Sequence, residues 1–209
     1  MTINLNPQQT GNAAGSFGVS WDGLVQGTAQ PDPATMFALA GGYVDPSETD
    51  PFFGGIAITE AVPLAASGAN PATELGGPIK RATIVSPAST AGAITGFSVF
   101  DQDYAMINTP NSPVPLATSY MQVNFYRLGS GARLSLAIDP ALVGLYGNII
   151  TQAVSWDFVN QRIIAIGALL PLPVRILRVK PTNSMTVNFT TGSGVATWNR
   201  NGAAALVVI

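Results

Sequence analysis

Few residues of this 209-residue chain have types and spacings that could do chemistry. Asp101 and Asp103 stand two apart at an expected strand end and would share a face. Paired carboxylates of that kind bind a cation or do acid–base work. The plainer alternative is a solvated strand terminus. Asp45, Glu48 and Asp50 cluster between residues 44 and 51 and could hold Ca²⁺, but Pro46 and Pro51 around them favour a solvated turn. Asn188-Phe189-Thr190 fits the glycosylation pattern, a tripeptide common by chance. There is no His and no Cys. That excludes thiolate and imidazole metal sites, disulfides, Ser-His-Asp triads and a Cys nucleophile. No P-loop, dinucleotide GxGxxG, GxSxG elbow or EF-hand loop occurs. The chain is read as a non-enzyme with no cofactor.

The residues left over suit contact rather than catalysis. Arg175, Arg178 and Lys180 fall in one expected strand. Strand periodicity puts 178 and 180 on one face and 175 on the other, so they do not form a single stripe. They could meet an acidic partner surface, for which the preference of seven Arg over two Lys is suitable, or they could guard a sheet edge. Trp21 and the pair Phe52-Phe53 are the large apolar candidates for a contact patch. Adjacent Phe residues in a strand point opposite ways, so one of them is expected to be exposed.

Charged residues are only 10% of the chain, where about 25% is usual. Gly and Pro number 22 and 16. A surface so poor in charge tends to associate. Residues 1–103 carry a net charge of −7 and residues 104–209 a net of +5, which suits two dissimilar contact faces unless the halves interleave. Seven basic residues scattered over the second half do not make a nucleic-acid site. The first 21 residues lack a basic region and an apolar core, so no signal peptide is read there. The longest apolar run, 163–174, is 12 residues with two prolines, too short to span a bilayer, and no membrane partner is expected.

The elements that must position these residues are strands. Residues 1–42 read as an extended arm rich in Gly, Asn, Gln and Pro, with a possible short turn or helix at 34–39 stopped by Gly41-Gly42. From 43 to 209 short runs of period two alternate with turn chemistry, at 56–60, 82–85, 94–100, 121–125, 134–138, 154–158, 162–168, 174–179, 185–189, 196–198 and 203–209. One helical turn is expected at 140–146. The fold class is therefore all-β: a single β-barrel or a jelly-roll or sandwich-like domain of short antiparallel strands, with an extended N-terminal arm.

The order of features resembles a known family. It runs from Gly41-Gly-Tyr-Val44 through Pro51-Phe-Phe-Gly-Gly-Ile-Ala-Ile-Thr-Glu60, Ile94-Thr-Gly-Phe-Ser-Val-Phe-Asp101 and Asn111-Ser-Pro-Val-Pro115. It continues through Val123-Asn-Phe-Tyr-Arg-Leu-Gly-Ser-Gly-Ala-Arg133, Val154-Ser-Trp-Asp157 and Asn160-Gln-Arg162. It closes with Leu172-Pro-Val-Arg-Ile176 and Trp198-Asn-Arg-Asn-Gly202. Over nearly its whole length the chain is similar to small virion structural proteins of tailed bacteriophages, the capsid decoration or cement proteins. The resemblance implies a homo-oligomer, dimer or trimer, made in the host cytoplasm and placed on the outer capsid surface of the virion. There it would bridge neighbouring major capsid protein subunits, with terminal arms clamping neighbours. It transfers no binding residue. Another virion part (tail, baseplate or head fibre) is the alternative, and a carbohydrate-binding adhesin a more distant one.

Overall fold

The computed structural model describes residues 23–30, 32–61, 76–83, 93–100, 114–145, 152–167 and 169–209. The chain is all-β. Ten strands run in chain order: β1 (Leu39–Val44), β2 (Ala57–Glu60), β3 (Pro78–Arg81), β4 (Gly96–Val99), β5 (Gln122–Arg127), β6 (Arg133–Ala137), β7 (Val154–Asp157), β8 (Arg162–Ala165), β9 (Arg175–Asn188) and β10 (Thr197–Val208). Short 3-10 turns at Met36–Ala38 and Pro140–Leu145 stand close to the two expected helical positions. Strands β1-β3-β2-β4-β5 close into a barrel. Its pairs are antiparallel except β1 with β3, which is parallel. Strands β6-β10-β9 form a three-stranded antiparallel sheet, and β7-β8 is a hairpin. The architecture is thus a barrel with added sheets, not a jelly roll.

Period-two alternation divides the apolar side chains between two cores. Ile58, Ile79 and Phe125 belong to a barrel cluster with Val44, Phe52 and Ile56. Their neighbours Ala57, Phe97 and Tyr126 belong to a second cluster. There they meet Leu134, Leu136, Val179, Ala205 and Val207 from the three-stranded sheet. Trp156 of the hairpin is buried in that second cluster, with its ring edge-on to Phe97 at 5.1 Å between centroids. Gln161, also buried, fixes the hairpin turn: its Oε1 accepts from the Ala57 N–H at 3.2 Å and its Nε2 donates to the Phe158 carbonyl at 2.8 Å.

The fold corrects three expectations. The arm does not extend to residue 42, so the boundary between 1–42 and 43–209 moves. Residues 24–30 bond to both outer strands of the sheet. The Gln26 N–H donates to the Met185 carbonyl at 2.8 Å, and the Gln30 N–H to the Arg133 carbonyl at 2.8 Å. Leu24 and Gln26 are buried there. Gly41-Gly42 does not stop a helix but runs inside β1. A Cβ on Gly42 would lie 2.9 Å from the Gly77 carbonyl oxygen, so the close approach to the segment entering β3 requires glycine. Of the arm reading, residues 1–22 lie outside the described residues.

The second correction concerns β9 and β10, which are long rather than short. The turns expected at Asn183-Ser184 and Asn199–Gly202 are not turns but bulges inside continuous strands. Gly202 sits in one of them, where a Cβ would fall 2.0 Å from the Thr186 Oγ1. Opposite, Asn183 takes a left-handed φ of 59°, and its N–H donates to the Asn201 Oδ1 at 3.0 Å. Pro181 is tolerated because the register passes from Lys180 to Ser184, leaving the intervening residues unpaired. Third, the strand expected at 82–85 lies earlier, at Pro78–Arg81.

Candidate interaction surface

Two sets of charged residues are built differently. The first is internal. Arg81, at the end of β3, is a buried cation in an aromatic cage. Its guanidinium carbon is 4.5 Å from the Phe189 ring centroid, 5.2 Å from that of Phe52 and 5.9 Å from that of Phe53. Ring faces attract a desolvated guanidinium, an effect worth about 2 kcal/mol when water is excluded. Its Nη2 donates to the Pro51 carbonyl, and its Nε lies 3.9 Å from the Glu48 carboxylate. Burial pushes its pKa below the ordinary arginine value, against the pull of Asp50 and Glu48.

This cage settles where several sequence candidates go. Phe52 and Phe53 are both buried, so the expectation that one is exposed is corrected. The backbone after Phe53 turns rather than continuing as a strand, so the two rings need not oppose each other. The acidic cluster also disperses. Asp45 accepts from the Ser47 N–H and hydroxyl at 2.8 and 2.6 Å and pairs with Lys80 at 3.5 Å. The Ser47 hydroxyl, then the Ser47 N–H and Lys80, hold its carboxyl below the usual carboxylate range against a smaller desolvation cost. Glu48 accepts from the Arg81 N–H at 3.0 Å, and Asp50 from the Gly192 N–H at 2.8 Å. The three carboxylates serve three different sets of partners, as a turn stabilised by its own hydrogen bonds would have them. Among the described residues no group of three or more His, Cys, Asp or Glu is placed to hold a metal ion. Asp101, Asp103 and Trp21 lie outside the described residues.

The second set is external. The period-two argument put Arg175 and Arg178 on opposite faces of β9, and the structure overturns it. Arg175 pairs with Val208, Arg178 with Leu206 and Lys180 with Ala204, while Ile176 pairs with Val207. One residue of β9, Leu177, is therefore extra, a bulge between Leu206 and Val207 of the partner strand. Directly paired residues share a face, and Ala204, Leu206 and Val208 alternate down one face of β10. The bulge thus brings Arg175, Arg178 and Lys180 onto the same face. Burial agrees: Ile176 and Val179 are buried in the main core, while Arg175 and Arg178 are exposed.

A fourth cation joins them from the other side of the sheet. Arg133 of β6 pairs with Val208, which also pairs with Arg175. The two arginines flank Val208, with Cα atoms about 10 Å apart across two strand spacings. Sequence reasoning missed Arg133 because only the register of β10 shows the alignment. The centre of this face is apolar: Leu24, Ala204 and Leu206 form a small buried cluster, with Leu177 packed against it. Strands β6, β9 and β10 contain no Asp or Glu at all. Arg133, Arg175 and Arg178 make no ion pair with any described residue.

A separate exposed apolar group sits where the chain enters β5. Leu116, Tyr120 and Met121 are 40, 73 and 49% exposed. Tyr120 holds a left-handed φ of 68°, unusual for an aromatic residue. The segment is pinned by a reciprocal pair of backbone bonds between Phe52 and Ala117.

No family model, curated protein or solved structure matches the chain. Among the described residues no helix is long and apolar enough to cross a membrane.

Proposed function

We propose that this protein is a virion structural component of a tailed bacteriophage. It decorates and stabilises the capsid by bridging neighbouring major capsid subunits from the outer surface, as a homo-oligomer. The observation that carries this reading is the outer face of β6-β10-β9. It offers three exposed arginines, Arg133, Arg175 and Arg178, with no carboxylate on its strands. Arginine is enriched at protein interfaces because its planar fork makes bidentate bonds to acidic groups. Bridging needs a second contact, and Leu116, Tyr120 and Met121 supply an uncharged apolar one. The barrel gives a rigid block between them. Weak contacts repeated over a lattice add up to tight retention without any single strong site.

Co-sedimentation of the purified protein with phage heads that lack it tests the proposal. Saturable binding in a fixed ratio to the major capsid protein is expected. Absence from mature heads, with recovery on separated tails, would replace it by a tail or baseplate role. Removal of residues 1–20 stops short of Leu24, so the sheet is expected to keep its melting temperature. Head binding should fall if those residues clamp a neighbouring subunit, and unchanged binding would remove the clamp.

A further inference from the structure

We infer that this protein pairs with a second copy of itself through the barrel wall made by β1, β3 and the start of β5, with Tyr120, Met121 and Leu116 at the centre of the contact. The purpose of the pair rests on the proposed function, since two copies carry two arginine-bearing sheets, one for each capsid subunit to be bridged. The contact itself rests on three observations.

The wall is uncovered. Val44 and Ile79 point into the barrel core, so their strand neighbours Tyr43, Pro78 and Lys80 face outward. Tyr43 pairs directly with Pro78 of β3 and Gln122 of β5, and paired residues share a face. Leu39 lies on the same face further along β1 and is 43% exposed. The second core covers the outside of the barrel elsewhere, at Ala57, Phe97 and Tyr126. Next to Gln122, the segment entering β5 adds the exposed Leu116, Tyr120 and Met121. A stable interface needs about 800 Å² from each partner, so the contact must extend from these three along Gln122, Tyr43 and Leu39.

The exposed ring is also held in place. The Tyr120 N–H donates to the Val44 carbonyl at 2.8 Å, and the Val44 N–H donates to the Met121 carbonyl at 3.0 Å. These two bonds to β1 hold Tyr120 in its left-handed conformation. Glycine would make the same turn without strain, yet the position carries a tyrosine with its ring in water. Backbone strain collects where a side chain serves contact rather than folding, and exposed aromatic anchors dominate protein contacts.

Finally, the wall suits its own copy. β1 has no charged residue. Of the charges bordering the wall, Lys80 pairs with Asp45 at 3.5 Å and Glu48 lies 3.9 Å from Arg81. Each has its counter-charge within the same chain. Two such walls meet without taking an unpaired charge out of water, whereas a strongly charged partner would bury charge with nothing to pair it. The arginine sheet cannot pair this way, because arginine would face arginine. A patch that meets its own copy closes as a dimer about a two-fold axis.

The test is sedimentation velocity of the full chain across a dilution series, beside Tyr120→Gly and Leu116→Ser. The parent is expected as a reversible dimer. Tyr120→Gly should weaken dimerisation by roughly tenfold or more, the effect of losing one aromatic anchor. Its melting temperature should hold or rise, because glycine relieves the left-handed strain. Leu116→Ser should act in the same direction, and Arg175→Ser/Arg178→Ser should leave the dimer intact. A parent that stays monomeric throughout would overturn the inference, as would a Tyr120→Gly chain that dimerises like the parent. Open-ended growth in place of a dimer would overturn pairing of the wall with itself. A dimer that Tyr120→Gly dissolves but that never binds heads would keep this inference and lose the proposed function. Saturable head binding with a Tyr120→Gly dimer as tight as the parent's would do the reverse.

Discussion

Lys80, Arg81 and Arg127 on the barrel strands each have a carboxylate within 4 Å: Asp45 at 3.5 Å, Glu48 at 3.9 Å and Glu60 at 2.6 Å. Arg162 of the hairpin has two, Asp139 at 2.9 Å and Asp157 at 3.7 Å. On the three-stranded sheet Arg133, Arg175 and Arg178 have none among the described residues. The cations of the barrel and the hairpin are paired within the fold. The sheet presents Arg133, Arg175 and Arg178 outward. A cation with an internal partner contributes to folding in proportion to its burial, whereas an unpaired surface cation contributes little to folding and remains available for contact. The two regions therefore predict opposite responses to the same kind of substitution.

The largest effect is expected at Arg81. Arg81→Ala empties the space between three phenyl rings and leaves Glu48 without its cation, a loss of about 3 kcal/mol or more in unfolding free energy by urea titration. A loss under 1 kcal/mol would mean the cage is incidental. Next comes Gly202→Ala, which overpacks the β10 bulge against Thr186 and should cost about 2 kcal/mol. Thr186→Ala in the same chain removes the clashing hydroxyl, so the double variant should recover part of that loss. Strict additivity would place the strain elsewhere.

Smaller effects come from the exposed ion pairs. Arg127 holds Glu60 with two short bonds of 2.8 and 2.6 Å, and Arg127→Ser should cost about 0.5 kcal/mol because the pair is solvated. Acid titration separates the regions in another way. Asp157 is partly desolvated, which raises its pKa, but the bonds it accepts from Asn160 and Val159 outweigh this and hold it below the usual carboxylate range. A depressed folded-state pKa stabilises the protein above the unfolded value of about 3.9, and that stabilisation is lost as pH falls through the folded value. Asp157→Asn should therefore flatten the decline of the urea midpoint below about pH 4. The strands of the three-stranded sheet carry no carboxylate and add nothing to that decline. Smallest of all is the effect of Arg175→Ser/Arg178→Ser on stability, expected within about 0.5 kcal/mol of the parent.

Much of the all-β architecture was legible in the residues. Alternation at 121–125 and 134–138 located β5 and β6, and the Gly129-Ser-Gly131 step lies between them. What escaped was whatever depends on a partner strand. The fate of Gly41-Gly42 depends on how closely the segment entering β3 approaches, and the arm boundary depends on Met185 and Arg133 far along the chain. The basic face was missed for the same reason. Two-residue periodicity is a local rule, and a bulge cancels it without a strong local signal: Leu177 looks like any strand residue until β10 is laid beside it. Phe52 and Phe53 were misplaced because the cation they surround arrives from β3, some thirty residues on.

The division between the two regions is tested most directly by head co-sedimentation of two variants side by side. One is Arg133→Ser/Arg175→Ser/Arg178→Ser, taken from the unpaired set. The other is Arg127→Ser, an exposed cation that is paired within the fold. The account predicts that the triple variant keeps its melting temperature yet loses most head binding, while Arg127→Ser binds like the parent. Equal binding by the triple variant and the parent would contradict it.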